Sequence, residues 1–202
     1  MNKPPDRNAN SRRYKKLDSD KILAAAMELA MKKGWSNVRM EHIASYFDIP
    51  LVNIRGYYRD MDAISDDWFD RALTEMLMLP EKKLSGLPAK ERLYNVITFW
   101  LDALARHHHV SAQMIGQKLY FFHPQHWMPL IPSLSNLIHW ILDIAKIDSQ
   151  GRQRKFEEIG VTLLILATLR VWVYDTSKNQ AMTHAFVRHQ LDRADRVMGF
   201  LF

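Results

Sequence analysis

The sequence predicts an all-α protein in two parts, a compact module of three short helices followed by a larger helical domain. Three observations predict it. Only 7 glycines stand among 202 residues otherwise rich in Leu, Ala, Met, Lys and Arg, which lose little conformational freedom in a helix, whereas glycine loses much. Apolar residues recur at intervals of three and four, and no stretch shows the two-residue alternation of a half-buried strand. Proline, glycine and asparagine interrupt the pattern at spacings that leave whole helices between them. With 48% apolar residues, the chain has material for a substantial core.

The elements follow in order. Asp18 or Ser19 is placed to cap a first helix carrying Ile22, Leu23, Ala26, Leu29 and Ala30 on one face; Lys32 and Lys33 suit its carbonyl end, and Gly34 ends it. Met40, Ile43, Ala44 and Phe47 lie at i, i+3, i+4 and i+7, a second helix that Pro50 keeps short. A third begins near Pro50, a residue suited to a first helical turn, and turns Ile54 and Tyr58 inward. A longer helix runs from about Asp62 through Trp68, Phe69, Leu73 and Leu77 to Pro80, and the break at Ser85, Gly86, Leu87 and Pro88 is the expected domain boundary. Beyond it, helices are expected near 89–106, 110–121, 127–147, 152–175 and 180–201. The expected organisation is a basic arm over 1–17, a module over 18–64, a linking helix over 62–79 and a helical domain over 80–202.

Composition excludes several classes. The chain has no cysteine, hence no disulfide, thiolate metal site or cysteine nucleophile. Residues 1–16 are polar and include two prolines, unlike a secretory signal, and the longest apolar run, 161–174, is broken by Arg170 and falls short of the roughly 20 residues a bilayer span needs. A cytoplasmic protein is expected. No Gly-rich phosphate loop, HExxH or GxSxG occurs, so no enzymatic activity and no cofactor are expected.

The net charge of +6 is unevenly placed: residues 1–17 hold Lys3, Arg7, Arg12, Arg13, Lys15 and Lys16 against Asp6, a net of +5. A segment of this composition is expected to be disordered when free and is able to neutralise phosphates, although a solubilising tail has the same composition. Over 18–60 the charges balance, with Lys21, Lys32, Lys33, Arg39, Arg55 and Arg59 matched by Asp18, Asp20, Glu28, Glu41, Asp48 and Asp60.

Within residues 22–64 the chain reads Ile22-Leu23-Ala24-Ala25-Ala26, Gly34-Trp35, Ile43-Ala44, Ile49, Ile54, Tyr57-Tyr58 and Asp62-Ala63-Ile64. In order and spacing this stretch resembles the N-terminal helix-turn-helix of the TetR family of transcriptional regulators. The resemblance implies a TetR-like fold, a DNA-binding module followed by a ligand-binding and dimerisation domain. It implies a ligand-responsive regulator, a repressor, binding palindromic operator DNA as a homodimer. Physically, Ile43 and Ala44 with Ile54 and Tyr58 let two helices cross closely, leaving the outer face of the second free to enter a major groove about 12 Å wide. That face presents Leu51 and Val52 for thymine methyls, Asn53 and Arg55 for base edges or phosphates, and Tyr57 for a phosphate; Arg39, His42 and Arg59 are the expected backbone clamps. The sequence departs from the family pattern at Asp48, usually Gly, at Arg39, near a usual Ser or Thr, at Arg55, usually Tyr, and at Met61, usually a phosphate-binding Lys. Aspartate tolerates a left-handed turn better than most residues.

The last helix carries Val187, Leu191, Ala194, Met198 and Leu201 at alternating spacings of four and three, and the one before it is apolar nearly all round, with Gly160 and Ala167 permitting close approach. The resemblance implies that these two helices pair with their copies, so Phe156, Leu163, Ala167, Val187, Leu191, Ala194 and Met198 are the expected dimer residues. Two chains are needed to hold two reader helices about 34–36 Å apart.

Between the module and this seam lies an aromatic and His-rich region, where the family places its effector pocket. Trp100, Met114, Tyr120, Trp127 and Trp140 are the expected lining for a small apolar or aromatic effector. Consecutive His107, His108 and His109 cannot converge on one point of a helix, and His123 and His126 flank Pro124, so no metal site is expected. A competing reading is a lipid- or quinone-binding accessory protein. Val171-Trp172-Val173-Tyr174-Asp175 and residues 183–195 are similar to ubiquinone-biosynthesis accessory proteins, which look like TetR members without DNA binding.

Overall fold

The computed structural model describes residues 17–118, 130–147 and 151–201, with side chains described for all of these except 130–132, 152 and 197–201. The basic segment 1–16, Tyr120, Trp127 and the side chain of Met198 therefore lie outside the described residues. Among the described residues the regular elements are helical: α1 (Ser19–Lys33), α2 (Met40–Phe47), α3 (Leu51–Arg55), α4 (Met61–Leu77), α5 (Ala89–Ala105), α6 (His108–Lys118), α7 (Leu130–Ile144), α8 (Gly151–Tyr174) and α9 (Ala181–Leu201), with short 3₁₀ turns at Trp35–Asn37, Glu81–Lys83 and Lys178–Gln180. The chain forms two compact units, Met1–Trp68 and Phe69–Phe202. The division falls inside α4. The second half of that helix is tied within the later unit, where Glu75 pairs with Arg106 and the Lys118 ammonium lies 6.0 Å from the Phe69 ring centroid.

In the first unit, local chemistry sets the helix ends. An Asp18 carboxylate oxygen accepts the Lys21 N–H at 2.8 Å and satisfies one of the donors that a helix start leaves unpaired. At the other end Gly34 takes φ 81°, a conformation that side chains resist, and its N–H reaches the Ala30 carbonyl at 2.8 Å. Ile22 and Ala26 of α1, Ile43 and Ala44 of α2 and Ile54 of α3 are buried together as the unit's core. Between α2 and α3 the chain turns through Asp48 at φ 54°, ψ 50°, the left-handed conformation expected where the family favours glycine. Pro50 then serves as the N-cap of α3, one position earlier than the first helical turn expected for it.

The later unit is a helical layer structure around α8, which packs on α6, α7 and α9, while α9 also packs on α5. Trp100, Leu101 and Leu104 of α5, Met114 of α6, Ile141 and Leu142 of α7, Ile165 and Trp172 of α8 and Val187 of α9 fill the core. Two polar devices fix its corners. Arg92 donates from Nε to the Ala145 carbonyl at 2.6 Å, and from its two terminal nitrogens to the carbonyls of Leu87 at 2.7 Å and Lys146 at 3.1 Å. One guanidinium thereby covers the carbonyl end of α7 and the turn before α5. At the α8–α9 corner the buried Asp175 carboxylate accepts from the Ser177 N–H at 2.9 Å and hydroxyl at 2.5 Å, and from the Thr183 N–H at 2.7 Å and hydroxyl at 2.6 Å. Burial alone would raise the pKa of this group, but the four hydrogen bonds from Ser177 and Thr183 outweigh it and hold the pKa down at about 2.

Candidate nucleic-acid interface

The face expected to read DNA is built by the crossing of α2 and α3. Because α3 has only one and a half turns, its orientation is set by what its inner side buries: Ile54 and Tyr58 are enclosed, and Ile43 and Ala44 meet them from α2. The outer side is therefore left in solvent. Leu51 is 49% and Val52 73% exposed, Arg55 is exposed and Asn53 is half-buried, so none of the four side chains named from the sequence is enclosed in the core. Exposed apolar side chains beside an amide and a guanidinium form a surface able to take thymine methyls and hydrogen-bonding base edges together.

The flanking residues each have partners within the unit. His42 is a cap: its Nδ1 accepts the Arg39 N–H at 3.2 Å at the start of α2, which leaves Nε2 as the nitrogen that carries the proton in the neutral ring. Arg39 and Arg59 both extend into solvent; Arg59 Nε bonds the Asp60 carboxylate at 2.6 Å, and the other Asp60 oxygen accepts the Ala63 N–H at 2.9 Å at the start of α4. Tyr57 is the clearest departure. Its hydroxyl, assigned to a phosphate from the sequence, donates instead to the Leu17 carbonyl at 2.8 Å, forty positions earlier, while the neighbouring Tyr58 hydroxyl donates to Asp67 and lies 3.2 Å from the Ser19 carbonyl. Nothing in the spacing of these tyrosines signals partners so far away in the chain.

The expected dimer residues divide into two sets. Phe156 is 52% and Leu163 62% exposed, Ala167 and Ala194 are exposed, and Gly160, expected to permit close approach, continues the exposed side of α8 with Ile159 and Tyr174. Val187 and Leu191 are enclosed in the unit's own core, and this corrects their assignment to a partner-facing seam: the apolar side of α9 that carries them is covered within the subunit, α9 packing there on α5 and α8.

The expected effector lining also separates. Trp100 and Met114 are buried core residues, whereas Trp140 is 45% exposed. Among the described residues, Trp100 Nε1 on α5 and Thr168 Oγ1 and Trp172 Nε1, one turn apart on α8, are buried polar atoms with no hydrogen-bond partner. Of the histidine run, His108 packs its ring 4.3 Å from the Trp172 ring centroid with Nε2 2.8 Å from the Trp172 carbonyl, and His109 lies within 3.2 Å of the Gln113 amide. No helix among the described residues is long and apolar enough to cross a membrane.

Neither a protein-family model nor a curated protein matches this sequence. Among solved structures, the chain is similar to a TetR transcriptional regulator from Nitrosomonas europaea ATCC 19718, with 33% sequence identity and a TM-score of 0.74 over 88% of this chain and 97% of that one. One residue in three is shared across nearly the whole of that regulator, and the chain belongs to the TetR family of transcriptional regulators.

Proposed function

We propose that the protein is a homodimeric repressor that binds a palindromic operator through α3 and leaves it when a small apolar or aromatic effector enters the later helical unit. The observation that carries the DNA-binding part is the outward face of α3, where Leu51, Val52, Asn53 and Arg55 stand accessible over a buried Ile54. The regulator from Nitrosomonas europaea supports the same reading. The homodimer is supported by the exposed apolar row on α8, because an apolar patch of several large side chains on a folded unit marks an association surface. The effector reading is supported by Trp100 Nε1, Thr168 Oγ1 and Trp172 Nε1. Each unpaired buried polar atom costs about 1–3 kcal/mol, a penalty that a bound molecule with hydrogen-bond acceptors would remove.

Recovery of bound fragments from genomic DNA, together with mass spectrometry of small molecules that copurify, tests the whole reading. A two-fold symmetric site overlapping a promoter is the expected result. Copurified isoprenoid lipid together with no sequence-selective DNA binding would replace it with the lipid- or quinone-binding alternative.

A further inference from the structure

Two of the buried polar atoms left without a partner in the later unit form a pair. Thr168 and Trp172 stand four residues apart on α8 and are both fully buried, so their side chains share one face of the helix, turned into the unit. Thr168 departs from what other helical threonines of the chain do. Thr98 and Thr162 turn their hydroxyls back to the carbonyls of Tyr94 and Glu158, four residues earlier, at 2.8 and 2.7 Å. The Thr168 hydroxyl, on the same helix as Thr162, has no hydrogen-bond partner among the described residues.

Trp172 is held where its N–H stays unpaired. Its carbonyl lies 2.8 Å from His108 Nε2 and also accepts the Asp175 N–H at 3.1 Å, and the His108 ring meets the indole edge-on with centroids 4.3 Å apart. Backbone and ring are thus both fixed from α6, and the indole is not free to swing its N–H towards a carbonyl of its own chain. A buried donor fixed in place without an acceptor is one half of a preformed hydrogen bond.

An indole N–H only donates, and a hydroxyl beside it can do the same, so the missing partner is an acceptor. The surroundings decide its charge. Ile165 and Leu169 of the same helix are buried, and the ring contacts of Lys83, Lys118 and Arg188 go to Phe99, Phe69 and Tyr94 and to neither tryptophan. A carboxylate taken into such a place without a compensating cation loses more in desolvation than two neutral donors return. A carbonyl oxygen carries no net charge and has two lone pairs, one for each donor.

We propose that the effector carries a neutral carbonyl oxygen on its apolar or aromatic frame, and that Thr168 Oγ1 and Trp172 Nε1 donate to that oxygen together. The proposal rests on the effector reading above and narrows it to one chemical class.

Three probes of one shape test it by equilibrium dialysis against the full-length protein: methyl naphthyl ketone, the isosteric alkene isopropenylnaphthalene, and naphthoate. The ketone is expected to bind at least about tenfold more tightly than either of the others, since a site built to donate rejects an analogue without the acceptor. Thr168→Val and Trp172→Phe are each expected to bring ketone and alkene within about threefold of one another by weakening the ketone alone. Thr168→Val carries a second readout that a structural hydroxyl would reverse. It is expected to raise the melting temperature of the free protein by about 2–4 °C, because the added methyl keeps the volume and removes a buried hydroxyl that nothing satisfies. Equal binding of ketone and alkene by the natural chain overturns the carbonyl acceptor, and tightest binding of naphthoate overturns its neutrality. A lowered melting temperature in Thr168→Val overturns the role given to the hydroxyl. Failure of all three probes to bind is a different result, since it defeats the effector reading on which the proposal stands.

Discussion

Apolar side chains stand in the open in both units, and the company they keep differs. On α3, Leu51 and Val52 share a short face with Asn53 and Arg55, so apolar contact and hydrogen-bonding capacity alternate within a few ångströms. On α8, Phe156, Ile159 and Leu163 follow one another at three and four residues, with Gly160 and Ala167 beside them, and large apolar side chains dominate that face. A groove floor displays methyl groups next to donors and acceptors and rewards the first arrangement; a second protein helix offers a continuous apolar ridge and rewards the second. The comparison teaches that exposure alone does not name a partner, whereas the polar residues interleaved with the apolar ones do.

The largest test of the contrast is to place a charge in the α8 row. Leu163→Arg is expected to convert the dimer to monomers in sedimentation analysis and to lower operator affinity by at least about a hundredfold, because the second reader helix no longer benefits from the binding of the first. A dimer that survives this change would move the association surface elsewhere.

Next in size is the corner that holds α9 against the rest of its unit. Asp175→Asn is expected to cost about 2 kcal/mol in denaturant unfolding, since it removes the charge from four hydrogen bonds inside the fold. The same carboxylate predicts an acid dependence. Its pKa falls from an ordinary 3.8 to about 2 on folding, so the folded state binds its proton less readily than the unfolded chain does. The contribution is fully present above the unfolded value and is lost as the pH falls through 4 towards 2, a change of about 2 kcal/mol that Asp175→Asn should abolish.

Arg55→Ala sharpens the other side of the comparison. It should reduce operator affinity by about tenfold or more and leave the helical circular dichroism unchanged, because the side chain is exposed and its removal opens no cavity. An unaltered gel-shift affinity would shift the reading role to Asn53 and the apolar pair. The smallest effect is expected from Asp18→Ala, about 1 kcal/mol of stability from the lost N-cap, read as a lower unfolding midpoint.

Much of the first unit was legible from local signals. The Asp18 cap, the Gly34 stop and the left-handed turn at Asp48 each depend on a residue and its near neighbours, and the buried set of Ile43, Ala44, Ile54 and Tyr58 follows from helical periodicity. In the candidate site the accessibility of Leu51, Val52 and Arg55 was legible, whereas the cap made by His42 and the bond from Tyr57 to a distant carbonyl were not. Those last two were hidden because a polar side chain's sequence context states what it is able to bond and not which partner comes within reach.

By itself the sequence determined the helical class, the order of the helices and the charge imbalance between the first residues and the module, since these depend on composition, periodicity and local capping. Only the tertiary structure decided how each apolar side is used. Val187 and Leu191 are enclosed while Phe156 and Leu163 are left to solvent, although all four sit at helical spacing on adjacent helices. Periodicity makes a helix face apolar, but whether the chain's own neighbours cover that face depends on how the helices cross, and the crossing is set by packing between residues far apart in the chain.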